Sequence, residues 1–109
     1  MAELDSERAA EVVIDTRLDP TGVAIVTVSG DLDISNAARL EQAVASITAE
    51  RAERLIFELS GLRFMDSAGI AVLLDAAGKV NAVRLRDPSP AVRRVVELTG
   101  LTDVLSIES

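Results

Sequence analysis

The sequence predicts a mixed α/β domain with an open, mostly parallel sheet carrying helices, in the order β-β-α-β-α-β-α-β. Three observations carry that prediction. Short β-branched runs alternate with segments whose apolar residues recur at helical spacing, which is the pattern of strands joined through helices. The first two strand-like runs have only a turn between them, so they form an antiparallel hairpin and the later strands join in parallel. The length of 109 residues suits one domain, and a 49% hydrophobic content with only two aromatic residues leaves Val, Ile, Leu and Ala to build the core.

Residues 1–10 are charged and alanine-rich and offer no packing partner, so they are expected to form a flexible arm, with the domain proper over 11–109. Strand-like sequence begins at Val12-Val13-Ile14 and stops at Asp19-Pro20-Thr21-Gly22. There Pro20 presets a turn and Gly22 relieves it, and Val23 to Val28 resumes as a second strand. Ser35-Asn36 is helix-capping material, and Leu40, Val44 and Ile47 follow at helical spacing over about three to four turns. Leu55-Ile56-Phe57-Glu58-Leu59 is nearly continuous in apolar character, as a central strand covered on both faces would be.

The chain then leaves through Ser60 to Met65 and enters a helix at Ser67, with Ile70, Leu73, Leu74 and Ala77 as its inward stripe and an end near Gly78. Val80 to Arg86 reads as a strand. Ser89 can cap a third helix whose first position suits Pro90, with Val92, Val95 and Val96 facing inward and Gly100 ending it. Val104 to Ile107 is a last short strand. In sheets of this kind the loops leaving the carboxyl ends of strands form the functional edge, and two stand out here, Gly30 to Asn36 and Arg63 to Gly69.

The composition excludes several function classes. With no His and no Cys there is no imidazole base, no thiolate nucleophile and no usual transition-metal site, so no cofactor or metal is expected. A serine hydrolase built on Ser67 would also need the Gly-x-Ser-x-Gly elbow, and neither phosphate-cradling glycine pattern is present for a nucleotide. A net charge of −7 and no Lys/Arg cluster argue against direct nucleic-acid binding. No segment reads as a signal peptide or is apolar for long enough to span a bilayer, so no membrane insertion and a cytoplasmic location are expected.

Ser67 opens a helix within Phe64-Met65-Asp66-Ser67-Ala68-Gly69. A helix N-terminus presents unpaired amides and partial positive charge, so a phosphate on Ser67 would be tolerated there. It would also add roughly 1.5 to 2 negative charges beside Asp31, Asp33 and Asp66. Local grounds leave the plainer alternative open: Asp-Ser-Ala-Gly is an ordinary strand-to-helix turn in which Ser and Asp serve as caps, and Asp31 with Asp33 is an ordinary turn signal.

Three collinear blocks bear on the choice. Val28-Ser29-Gly30-Asp31-Leu32-Asp33, then Phe64 to Ile70, then Ser89-Pro90-Ala91-Val92-Arg93-Arg94 ending at Leu98-Thr99-Gly100-Leu101 together resemble the STAS domain of bacterial anti-sigma factor antagonists. The resemblance implies a protein that is not an enzyme. It would bind an anti-sigma factor with a GHKL-type serine kinase fold and so release a sigma factor, let go when Ser67 is phosphorylated, and be restored by a serine phosphatase. It implies a partner-binding edge of Gly30, Asp31, Asp33, Ser35, Met65, Asp66, Ser67, Ala68 and Gly69. Asp33 is expected beside the serine hydroxyl, and Gly69 is expected to let a partner approach closely. Ala68 stands where relatives often have a second hydroxyl, which leaves Ser67 as the single candidate in the motif. STAS domains also serve as subunits of ABC-type lipid transport systems and as cytosolic domains of anion transporters, and a constitutive protein-binding scaffold is a further alternative. Ala71 and Val72 are expected either at a partner or in the core.

Overall fold

A computed structural model describes residues 11–108; the expected arm at 1–10 lies outside the described residues. The elements are β1 (Val12–Leu18), β2 (Val23–Leu32), α1 (Ala37–Ala49), β3 (Arg54–Glu58), β4 (Leu62–Met65), α2 (Ser67–Ala77), β5 (Ala82–Arg86), α3 (Pro90–Leu98) and β6 (Ser106–Glu108). The sheet runs β1-β2-β3-β5-β6, with β4 paired to β2, and only the β1–β2 pairing is antiparallel. The mixed, mostly parallel sheet is therefore as expected. The added element is β4, which lies within the connection expected to run from Ser60 to Met65. Four residues are too few to show a strand period, and what makes them a strand is the upper half of β2, left open where β3 ends.

The β1–β2 turn is built as its residues dictate. The Asp19 carboxylate accepts from the Thr21 amide at 2.8 Å, the Thr21 hydroxyl at 2.6 Å and the Val23 amide at 3.1 Å, while Gly22 takes φ +89°. Such a side-chain clamp on the backbone two residues on is what makes Asp a turn former.

Register explains which side chains enter the core. Ala24, Leu55 and Val83 lie opposite one another, as do Val26, Phe57 and Leu85, and all six are buried. The row between them, Ile25, Ile56 and Arg84, is only partly covered or exposed. So β3 is central but buried on one face, not two: Leu55 and Phe57 are buried while Ile56 and Glu58 are half-buried. The reason is topological. From β2 the parallel strands step in one direction only, and parallel crossovers are right-handed, so successive helices land on the same face.

Helix α1 turns Ala37, Leu40, Val44 and Ile47 inward, the spacing of one helical face. In α2 the buried set is Gly69, Ile70, Val72, Leu73 and Ala76, with Leu74 and Ala77 half-buried. Val72 thus belongs to the core and Ala71 to the surface. Helix α2 ends at its cap residue Gly78, as expected. Ser89 caps α3 by accepting from the Val92 amide at 3.3 Å, with Pro90 in the first turn and Val92 and Val96 buried. The last strand begins later than expected: Val104 and Leu105 lie in the turn before β6, and Leu105 is buried. Glu108 ties β6 to β5 through Arg86 at 2.9 Å and Arg84 at 3.5 Å, and the Arg86 hydrogen bond holds its carboxyl below the usual range.

Candidate functional site

The two conspicuous loops meet because β4 pairs with the end of β2. Gly30 lies opposite Leu62, Asp31 opposite Phe64 and Leu32 opposite Met65, with a register shift between Gly30 and Asp31. The Asp66 amide then donates to the Leu32 carbonyl at 3.2 Å, so the chain entering α2 is stitched to the chain leaving β2.

Gly30 makes the bend possible. Its φ of +97° is in the region that favours glycine, and a Cβ there would run into the Glu11 carbonyl oxygen of the neighbouring strand. From that bend Asp31 points its carboxylate at the Arg63 guanidinium, 3.4 Å away in an exposed pair of small energetic weight. The next turn closes on itself. The Asp33 carboxylate accepts from the Ser35 amide at 2.8 Å and from the Ser35 hydroxyl at 2.6 Å. Asn36, 5% exposed, accepts at Oδ1 from the Asp33 amide at 3.0 Å and donates through Nδ2 to the Asp31 carbonyl at 2.9 Å. Asn36 therefore precedes α1 without capping it through its side chain. Its carboxamide holds the loop instead.

The second loop is organised by Asp66. Its backbone is extended and its carboxylate accepts from the Ala68 amide at 2.9 Å and the Gly69 amide at 3.4 Å, the geometry of an N-cap. Ser67 is thus the first residue of α2 and not its cap, and among the described residues its exposed hydroxyl has no hydrogen-bond partner. This changes the expected electrostatics. Two of the helix-terminal amides, those of Ala68 and Gly69, are already taken by the Asp66 carboxylate, so a phosphate on Ser67 would arrive beside that charge with fewer open donors than a bare helix start offers.

The expected edge residues fall into two groups. Asp31, Asp33 and Asp66 are half-buried, Ala68 likewise, and Ser35 and Ser67 are exposed. Met65, at 2% exposure, and Gly69 are buried, and Gly30 is held in the strand bend. Gly69 is small for an internal reason: a Cβ there would come within 2.5 Å of Met65 Cγ and 2.8 Å of Leu32 Cδ2. The close approach it permits is of α2 to its own core. The Asp33 carboxylate, expected to attend the serine hydroxyl, is engaged with Ser35.

Sequence reasoning passed over two side chains on this edge. Ile34 is 83% exposed and Phe64 50% exposed. The signal for the first was present, since Ile34 is the one apolar residue in the polar run Asp33-Ile34-Ser35-Asn36. Phe64 gave none, because an apolar residue next to Met65 reads as core.

The sequence and the fold both have relatives. The profile described as the STAS domain matches residues 16–109. An anti-sigma F factor antagonist of Paenibacillus polymyxa is 33% identical over 92 residues, covering 79% of this chain and 78% of that protein. The anti-sigma-F factor antagonist RsfB of Mycobacterium tuberculosis is 31% identical over 72 residues, covering 66% of this chain and 59% of that protein, so the match spans about three-fifths of that relative. Among solved structures, an anti-sigma factor antagonist from Mycobacterium paratuberculosis superposes with a TM-score of 0.81 at 30% identity, over 89% of this chain and 85% of the other. With its mostly parallel sheet covered on one face, its β2–β4 edge and a profile match over residues 16–109, this chain belongs to the STAS domain family.

Proposed function

We propose that this chain is an anti-sigma factor antagonist, a binding protein whose hold on an anti-sigma factor is switched off by phosphorylation of Ser67. The observation that carries the reading is the division of labour at the start of α2. Asp66 does the capping, which leaves the neighbouring Ser67 hydroxyl exposed and uncommitted to the fold. A hydroxyl that the fold does not need can be modified without unfolding the protein. The relatives named above as anti-sigma factor antagonists support the partner class.

The switch is a matter of charge. The anti-sigma factor, with a GHKL-type serine kinase fold, would dock on the edge formed by Asp31, Asp33, Ser35, Asp66, Ser67 and Ala68, over a floor made by Gly30, Met65 and Gly69. In phosphoryl transfer the Ser67 Oγ forms a bond to the γ-phosphorus of the kinase's ATP, the bond to the ADP oxygen breaks, and the hydroxyl proton passes to a base of the kinase. The product carries roughly 1.5 to 2 added negative charges beside Asp66, which repel and desolvate poorly at the docked surface, so the partner is released. A serine phosphatase would hydrolyse the ester, water supplying the oxygen that leaves with phosphate. Among the described residues no helix is long and apolar enough to cross a membrane, and a cytoplasmic site of action is part of this proposal.

The test is an intact-mass measurement on the full chain incubated with ATP and each anti-sigma kinase of its own cell. Wild type should gain one phosphoryl group and Ser67→Ala none, and Ser67→Asp should weaken the complex. No gain with any such kinase would overturn the switch.

A further inference from the structure

Single exposed apolar side chains are ordinary on protein surfaces, so the exposure of Ile34 alone decides nothing. Three features of its setting do. First, the loop that carries it is fixed on both sides: the Asp33 carboxylate closes onto Ser35, and the buried Asn36 carboxamide binds the Asp33 amide and the Asp31 carbonyl. Ile34 is thus presented outward by a braced turn. Second, the same clamp occurs in the β1–β2 hairpin, where Asp19 closes onto Thr21 and the residue between them is Pro20, a turn former. Turn geometry asks for no isoleucine in that middle position. Third, Phe64 is the register partner of Asp31, so the second exposed apolar side chain stands on the same edge, two positions before the Asp66 cap and three before Ser67.

We infer that Ile34, aided by Phe64, is a preformed apolar anchor for the anti-sigma factor, giving the complex its lifetime while charge at Ser67 switches it. This rests on the function proposed above. The partner surface must then hold an apolar pocket bordered by cationic groups, because the rim offered to it carries Asp31, Asp33 and Asp66 on a chain of net charge −7. Preorganisation favours such an anchor, since the backbone that carries the side chain is already braced and loses little freedom on docking. Buried apolar anchors act mainly on dissociation, whereas rim charges act mainly on association and fade with salt. The two parts of the edge are therefore separable by kinetics.

The experiment is surface plasmon resonance of the full chain against the purified anti-sigma factor that phosphorylates Ser67, at low and at high salt. Ile34→Ser should raise Kd about tenfold, through faster dissociation and equally at both salt concentrations. Ile34→Leu should stay within about threefold of wild type, and Phe64→Ala should lose less than Ile34→Ser. The Ser67→Asp defect, in contrast, should shrink as salt rises. Ile34→Ser within about twofold of wild type overturns the anchor alone, as does a defect confined to association that disappears in high salt. A dimeric wild type that becomes monomeric in Ile34→Ser assigns the side chain to a second copy and overturns it too. If wild type binds no anti-sigma factor at all, the proposed function falls and the anchor with it. Ile34→Ser should melt within a few degrees of wild type, because the side chain packs against little.

Discussion

The hairpin turn at Asp19 and the loop at Asp33 are built on the same clamp and do different work. In each, one carboxylate oxygen accepts from an amide at 2.8 Å and a hydroxyl at 2.6 Å two residues on. The hairpin surrounds its clamp with turn formers, Pro20 and Gly22, and joins two antiparallel strands. The second loop surrounds the clamp with an exposed isoleucine, a buried asparagine and the strand that leads to Ser67. A turn that serves only connection can be made of residues that stiffen or relieve the backbone. A turn that holds an apolar side chain out in solvent needs its stiffness from elsewhere, and here the Asn36 side chain supplies it.

The largest expected effect separates the two by their glycines. Gly30→Ala combines a left-handed φ with a clash against the Glu11 carbonyl and should cost about 3 kcal/mol in urea unfolding. Gly22→Ala meets only ordinary contacts, 3.5 Å from Glu53, and should cost about 1 kcal/mol for its φ. Equal costs would break the comparison.

Next comes the brace. Asn36→Ala leaves the Asp33 amide and the Asp31 carbonyl without their side-chain partner in a half-buried loop, and should cost about 2 kcal/mol. Amide hydrogen exchange at Asp33 should rise in this variant while the Thr21 amide in the hairpin keeps its protection.

A smaller contrast tests the start of α2. Asp66→Ala removes an N-cap and should cost about 1 kcal/mol, whereas Ser67→Ala should stay within about 0.5 kcal/mol of wild type. A large loss at Ser67 would mean that its hydroxyl is structural after all.

The smallest effect is a titration. The Thr21 hydroxyl, followed by the Val23 amide, holds the Asp19 carboxyl below the ordinary aspartate value. A depressed folded pKa contributes stability above the unfolded value and loses it as pH falls through the folded one. Carbon-detected NMR should therefore show Asp19 titrating at lower pH than in an unfolded peptide, and Thr21→Val should move it back upward.

Much was legible from residue order alone. The hairpin, the three helices with Leu40, Val44, Ile47, Ile70, Leu73, Val92 and Val96 turned inward, the helix end at Gly78 and the Ser89-Pro90 start all follow from local preference and period, which are written in neighbouring residues. The two loops that form the candidate edge, and Ser67 within one of them, were legible in the same way.

What the sequence left open was whatever depends on a distant partner. Leu62 to Met65 became a strand because β2 outlasts β3. The middle strand lost one of its covers because the parallel strands advance in a single direction. Asp66 caps the helix that Ser67 opens, Gly69 is packed on Met65 and Leu32, and Ile34 stands in solvent. Periodicity reports which face of an element is apolar. Only the assembled sheet decides which faces are covered, and hence which of two adjacent polar side chains holds the helix and which remains exposed.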